Sequence, residues 1–224
     1  MKVNCFLWNM IFAIYFRNGN FLLNKNERKL ILNLHNNYRN NVKPQSSNMT
    51  KMTWNQTLYN LALNISWNCS LDFPGKNNSE FSEYGINMYF SIMSKSTVKD
   101  IHKTFESWVS EEKNFMYPFK CTGNCMNYTQ IVWSSSTQLG CNDNMCFMKN
   151  SSKIRKWNIF LTCLYWPKGN IFGMVPYGSG KPCSKCPKKM AYCVYKLCSN
   201  CAVPHKSVVF KILIVFYLEL YLEL

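Results

Sequence analysis

The chain predicts a mixed α+β fold, and three observations predict it. Apolar residues recur at helical spacing in three stretches of the N-terminal half, a period of two takes over further on, and the connections between them are rich in turn residues. With 224 residues, 47% hydrophobic and 16% aromatic, the chain can bury a single core and is too apolar to stay disordered. No internal repeat is visible.

Leu30, Ile31, Leu34 and Tyr38 fall on one helical face, so Glu27 to about Asn40 reads as an amphipathic helix with His35 at the edge of its buried stripe. In the next helix, Thr53 and Gln56 have capping-box spacing, and Leu58, Leu61, Ala62, Ile65 and Cys69 continue one apolar face. Cys69 is thereby aimed at the core. Thr97 can cap a third helix with Val98, Ile101, Phe105, Trp108 and Val109 inward. From Trp157 to Tyr165, alternation sets Trp157, Ile159, Leu161, Cys163 and Tyr165 on one side of a strand, against Asn158 and Thr162.

Twelve cysteines suit an oxidising compartment, where disulfides persist. Zinc is the competing reading, because Cys183-x-x-Cys186 and Cys198-x-x-Cys201 have ligand-like spacing. Lys2 followed by the mostly apolar run from Cys5 to Phe16 has the form of a signal peptide, expected over residues 1–19; an uncleaved anchor is the alternative. Seven asparagines begin glycan-acceptor triplets: Asn48, Asn55, Asn64, Asn68, Asn77, Asn127 and Asn150. The net charge of +15 attracts anionic surfaces such as an acidic membrane or sulfated glycans, and an exported chain gives no reason to expect nucleic acid. Lys181, Lys185, Lys188, Lys189 and Lys196 concentrate part of that charge; a solvated face is the plain alternative to a binding patch.

Asn127-Tyr128-Thr129-Gln130-Ile131-Val132-Trp133, then Leu139-Gly140-Cys141, together with His35-Asn36-Asn37-Tyr38-Arg39 upstream, resembles the CAP superfamily of cysteine-rich secretory, antigen 5 and pathogenesis-related proteins. The resemblance continues in order through Met52-Thr53-Trp54, Gly85-Ile86-Asn87, Trp108 with Glu111, and Cys163 to Asn170. Cys121-x-x-x-Cys125 is most similar to glioma pathogenesis-related members. The resemblance implies a three-layer α-β-α sandwich over residues 20–176, a cysteine-rich hinge over 177–201, and a hydrophobic tail over 202–224. It also implies disulfides Cys69–Cys146, Cys141–Cys163, Cys183–Cys193 and Cys186–Cys198, with Cys121–Cys125 closing a small loop and Cys201 left without a partner.

Family members hold two histidines and two acids around a cleft, and several bind a divalent metal there. Carried over, those positions are His35, Ile86, Glu111 and Asn127. Isoleucine cannot ligate a cation and an asparagine amide is a weak zinc ligand, so neither a metal nor any other cofactor is expected. Catalysis is not expected either. His102 and His205 lie outside the cleft pattern, and oxidised cysteines offer no thiolate. Tyr128, Gln130 and Trp133 read as cleft wall, and a glycan on Asn127 would block the cleft. What remains is recognition: a secreted or surface-tethered module for a sterol or fatty acid, as the family implies, or for an extracellular protein partner. A metal-assisted hydrolase or protease is the rival.

The tail is ambiguous on its own terms. Its clean apolar run from Ile212 to Leu218 is shorter than the ~20 residues that span a bilayer. An anchor, a lipid-anchor signal, an amphipathic stretch on a membrane and a segment without a role all remain open.

Overall fold

The computed structural model describes residues 22–67, 69, 81–93, 101–149 and 155–201. The signal-peptide segment, Thr97, His205 and the hydrophobic tail lie outside them, as do Asn68, Asn77, Asn150 and the side chain of Cys146.

Helix α1 spans Lys25–Asn40. It starts two residues before Glu27 because Asn24 caps it: Asn24 Oδ1 accepts from the backbone N–H of Asn26 and Glu27, and Glu27 answers by accepting from Asn24 N–H at 2.7 Å. Strand β1 (Thr53–Trp54) precedes helix α2 (Gln56–Trp67). The cap there differs from the sequence expectation. Asn55 Oδ1 accepts from Leu58 N–H at 3.0 Å, while Thr53 is taken by the sheet, opposite Gln138. The asparagine sits where three backbone donors begin, and the sheet claims the threonine two residues earlier.

Strand β2 (Gly85–Met93), helix α3 (Ile101–Val109) and a 3₁₀ turn (Ser110–Asn114) follow. A small hairpin, β3 (Phe115–Met116) with β4 (Lys120–Cys121), leads into helix α4 (Met126–Ile131). Long strands β5 (Gln138–Lys149) and β6 (Arg155–Trp166) form the centre of a four-stranded sheet ordered β1-β5-β6-β2. All its pairings are antiparallel except β1 with β5.

The two faces of this sheet bury different layers. Leu164 packs with Leu58, Ala62 and Ile65 of α2 on one side. Cys141, Leu161, Cys163 and Tyr165 pack with Ile31, Phe105, Trp108 and Ile131 on the other. The result is an α-β-α sandwich with helices on both faces. Gly140 sets the spacing on the α2 side, since a Cβ there would lie 2.2 Å from the backbone nitrogen of Tyr59. Cys141 and Cys163, opposite one another in register, are joined by a disulfide.

The C-terminal segment contributes β7 (Tyr192–Val194) and β8 (Leu197–Ser199), stapled by Cys183–Cys193 and Cys186–Cys198. It is not a separate body. Tyr177 and Leu197 belong to the main core, and the backbone pairs with the Ser47–Lys51 stretch through Ser47 N–H to Gly178 O, Cys198 N–H to Met49 O and Lys51 N–H to Cys198 O, each at 2.8 Å.

Candidate functional site

The four carried-over cleft positions do not come together. His35 is fully buried: one ring nitrogen lies 2.8 Å from Ile31 O and the other 2.9 Å from the Tyr165 hydroxyl. Phe105 packs edge-on against the ring at 4.8 Å. With Nδ1 donating to the carbonyl, Nε2 is left to accept from Tyr165, which fixes a neutral imidazole. Burial lowers its pKa to about 3. His35 is thus a core residue and not a cleft base, because the helical stripe at whose edge the sequence placed it is buried on that side too.

Ile86 is displaced for a different reason. Opposite Leu164 in register, it faces α2, whereas its neighbours Gly85 and Asn87 face α4. A Cβ on Gly85 would meet Gln130 Oε1 at 2.1 Å, and Asn87 Nδ2 donates to Asn127 O at 3.0 Å.

Glu111 and Asn127 do meet. Glu111 Oε1 accepts from Asn127 Nδ2 at 2.7 Å and Asn124 Nδ2 at 2.9 Å; Oε2 accepts from the backbone N–H of Asn127 at 2.8 Å and of Tyr128 at 3.3 Å. All the strong acceptor positions of the carboxylate are spent on closing the first turn of α4. It is a structural clasp. Asn127 Nδ2, the atom a glycan would take, is one of its donors.

The expected wall residues are all buried. Tyr128 is buried and its hydroxyl donates to Glu112 at 3.3 Å; burial, then the nearby carboxylate, raises its pKa. Gln130 bridges two segments, donating to Ser136 Oγ at 3.2 Å and accepting from Gly169 N–H at 2.9 Å. Arg39, in the same motif as His35, is 1% exposed and donates only to oxygens of Thr50, Ile131, Trp133, Ser134 and Ser136. Burial lowers its pKa to about 9.

Trp133 reaches a groove that sequence reasoning did not assign. About 450 Å³ in volume, it lies between Phe115 and Phe119 of the β3–β4 hairpin, Met126 and Thr129 of α4, and the turn following Asn170. That turn closes with Met174 N–H donating to Ile171 O at 3.1 Å, and Gly173 supplies the left-handed φ of 76°. It leaves Phe172 fully exposed, beside Phe119 at 69% exposure and Met126 and Met174 at 55% each. Asn170 fixes the turn to α4: its Oδ1 accepts from Thr129 Oγ1 at 2.6 Å and its Nδ2 donates to Met126 O at 2.8 Å. A signal was present, in that Ile171-Phe172-Gly173-Met174-Val175 is an apolar run with no periodic element to bury it. The Cys121–Cys125 disulfide ties the hairpin to the start of α4 at the groove edge.

The hinge sulfurs of Cys183, Cys186 and Cys198 lie within 4.8 Å of one another, close enough to suggest a metal, yet all three are oxidised in disulfides. Cys69 is also disulfide-bonded, and Cys201 is free and exposed.

Fold and site together define a disulfide-stapled α-β-α domain with a polar clasp where a reactive centre could sit and an apolar groove beside it. The sequence pattern of the CAP, or cysteine-rich secretory protein, family matches residues 32–165, and the chain belongs to that family. The human cysteine-rich secretory protein LCCL domain-containing 1 is 35% identical over 181 residues, covering 75% of this chain and 35% of that protein. Peptidase inhibitor 15-A of Danio rerio is 32% identical, covering 74% of this chain and 66% of that protein. The chain therefore spans about a third of the length of the first relative and just under two thirds of the second. Among solved structures, the crystal structure of NaASP2 with Zn2+ superposes with a TM-score of 0.62 at 25% identity, over 80% of this chain and 98% of that one.

Proposed function

We propose that this protein is an exported, non-catalytic binding module that takes a small apolar molecule of sterol or fatty-acyl type in the groove between the β3–β4 hairpin, α4 and the Ile171–Met174 turn. The observation that carries the reading is the contrast between two neighbouring sites. Glu111 and Asn127 are consumed by each other and by the α4 backbone, while Phe119, Met126, Phe172 and Met174 stand exposed around a cavity of small-ligand size. Export is supported by the disulfides and by relatives named as secretory proteins. Among the described residues no helix is long and apolar enough to cross a membrane.

The rival reading, metal-assisted hydrolysis, needs an accessible base and free ligand atoms. His35 has both ring nitrogens engaged in the core, and the oxygens of Glu111 already hold four donors. A protein partner seated on the groove rim is a second reading, supported by the relative named peptidase inhibitor 15-A.

The test is equilibrium binding of radiolabelled cholesterol and palmitate to chain secreted from a eukaryotic host, compared with Met126→Asp and Met174→Asp. Saturable binding lost in both exposed-site variants is the expected result. Absence of binding to either lipid, or hydrolytic turnover that a chelator abolishes, overturns the proposal.

A further inference from the structure

Residues 177–201 carry Lys181, Lys185, Lys188, Lys189 and Lys196 and contain no aspartate or glutamate. All five lysines are exposed. In most surface charge runs, opposite charges intersperse and long side chains move freely, so little affinity for a polyanion results. Here no acidic residue intersperses within the segment, and the backbone that carries the lysines is fixed. The nearest carboxylates in sequence are Asp143 and Glu219, and the backbone bearing the lysines is held by two disulfides and by bonds to the body, including Lys185 N–H to Ser47 O at 2.9 Å.

The tip of the β7–β8 hairpin adds an independent sign. Tyr195 and Lys196, between Val194 and Leu197, have φ of 48° and 63°, a two-residue turn with both central residues left-handed. Asparagine and glycine meet that demand at little cost, whereas tyrosine and lysine strain against it. Neither side chain compensates by packing: Tyr195 is 79% exposed and Lys196 is exposed as well. Backbone strain spent on projecting an aromatic ring and an ammonium into solvent points to contact with something outside the chain.

We infer that the hinge face binds a sulfated polysaccharide of the extracellular matrix or cell surface, its lysines pairing with sulfates and Tyr195, with half-exposed Tyr192 on the same hairpin, lying against sugar rings. Charge complementarity selects a polyanion. The disulfides place that polyanion in an oxidising compartment, where sulfated glycans are the abundant class and nucleic acid is not. An acidic membrane fits less well. Val194 and Leu197 are buried, and the projecting side chains of this segment are lysine and tyrosine, with no leucine, phenylalanine or tryptophan to enter an acyl layer. The inference does not depend on the groove, which lies on other elements.

The experiment measures retention of the full secreted chain on immobilised heparin and its salt dependence. The triple variant Lys185→Glu, Lys188→Glu, Lys189→Glu is compared with Lys25→Glu, Lys29→Glu, Lys113→Glu, which removes the same charge from exposed sites elsewhere. About tenfold or greater loss of affinity is expected for the hinge variant alone, with a shallower salt slope. Tyr195→Asn with Lys196→Gly should also weaken binding although it relaxes the turn. Lysine acetylation footprinting of the unsubstituted chain, with and without heparin, reads the site independently of whether the variants fold; protection confined to the hinge lysines is expected. Equal loss in both triple variants, no protection of the hinge lysines, equal binding to desulfated heparin, or binding to phosphatidylserine vesicles with none to heparin overturns the inference.

Discussion

Acidification should expose the role of His35. Its ordinary pKa is 6.5, and in the folded protein burial lowers it to about 3. For a base with a depressed folded pKa, the unfolded chain binds more protons throughout the interval between the two values. Stability therefore rises with pH across about 3 to 6.5 and is lost as pH falls through that window. At pH ~4.5, two units below the unfolded value, the difference amounts to about 2 to 3 kcal/mol at ~1.4 kcal/mol per unit, and at pH ~7 it is close to zero. Urea unfolding at both pH values, on the parent chain and on His35→Gln, isolates the effect, because other titrating groups contribute to both proteins and cancel in the double difference. The variant is expected to be less stable at neutral pH, having lost the ring packing against Phe105 and one of its buried hydrogen bonds, but to lose about 2 to 3 kcal/mol less than the parent on acidification. Equal acid sensitivity in the two proteins would refute the reasoning, since a solvent-facing cleft histidine would titrate near 6.5 in both states and give no such term.

Substitutions at two further positions test the frame of the fold. Glu111→Ala should cost about 2 to 3 kcal/mol in urea melts by stripping acceptors from two backbone donors of α4, and Glu111→Gln about 1 kcal/mol, with neither variant affecting any residual hydrolysis. Gly140→Ala should destabilise by about 3 kcal/mol or prevent secretion, because the new methyl would press on the α2 backbone and not on a side chain able to turn away.

Periodicity located α1, α2, α3 and β6 because each buries one face against a layer, and a repeat of 3.6 or 2 is what such burial requires. The disulfides shown by the structure include pairs whose partners stand far apart in sequence, such as Cys141 and Cys163; only the family resemblance, not spacing, pointed to them. The site was less legible. His35 carried the look of a functional histidine, yet its fate depended on Tyr165, 130 residues away, closing over it. Ile86 pointed away from Asn127 because of strand register, which pattern matching along the chain does not carry. Thr53 failed as a cap once β5 offered it a strand partner. The groove was invisible for a related reason: its walls come from three stretches that share no period and become neighbours only when Asn170 fastens its turn to α4.

The anchoring of the hinge bears on how the molecule can be divided. Leu197 and Tyr177 fill space in the same apolar interior as Ile31 and Tyr165, and Cys198 trades backbone bonds with both Met49 and Lys51. A recombinant fragment stopped at residue 176 would present an open socket and unpaired amides along 47–51, and should be recovered as insoluble material. Proteolytic mapping would accordingly fail to release the two parts intact, and the hinge lysines and the groove would stay joined as one unit.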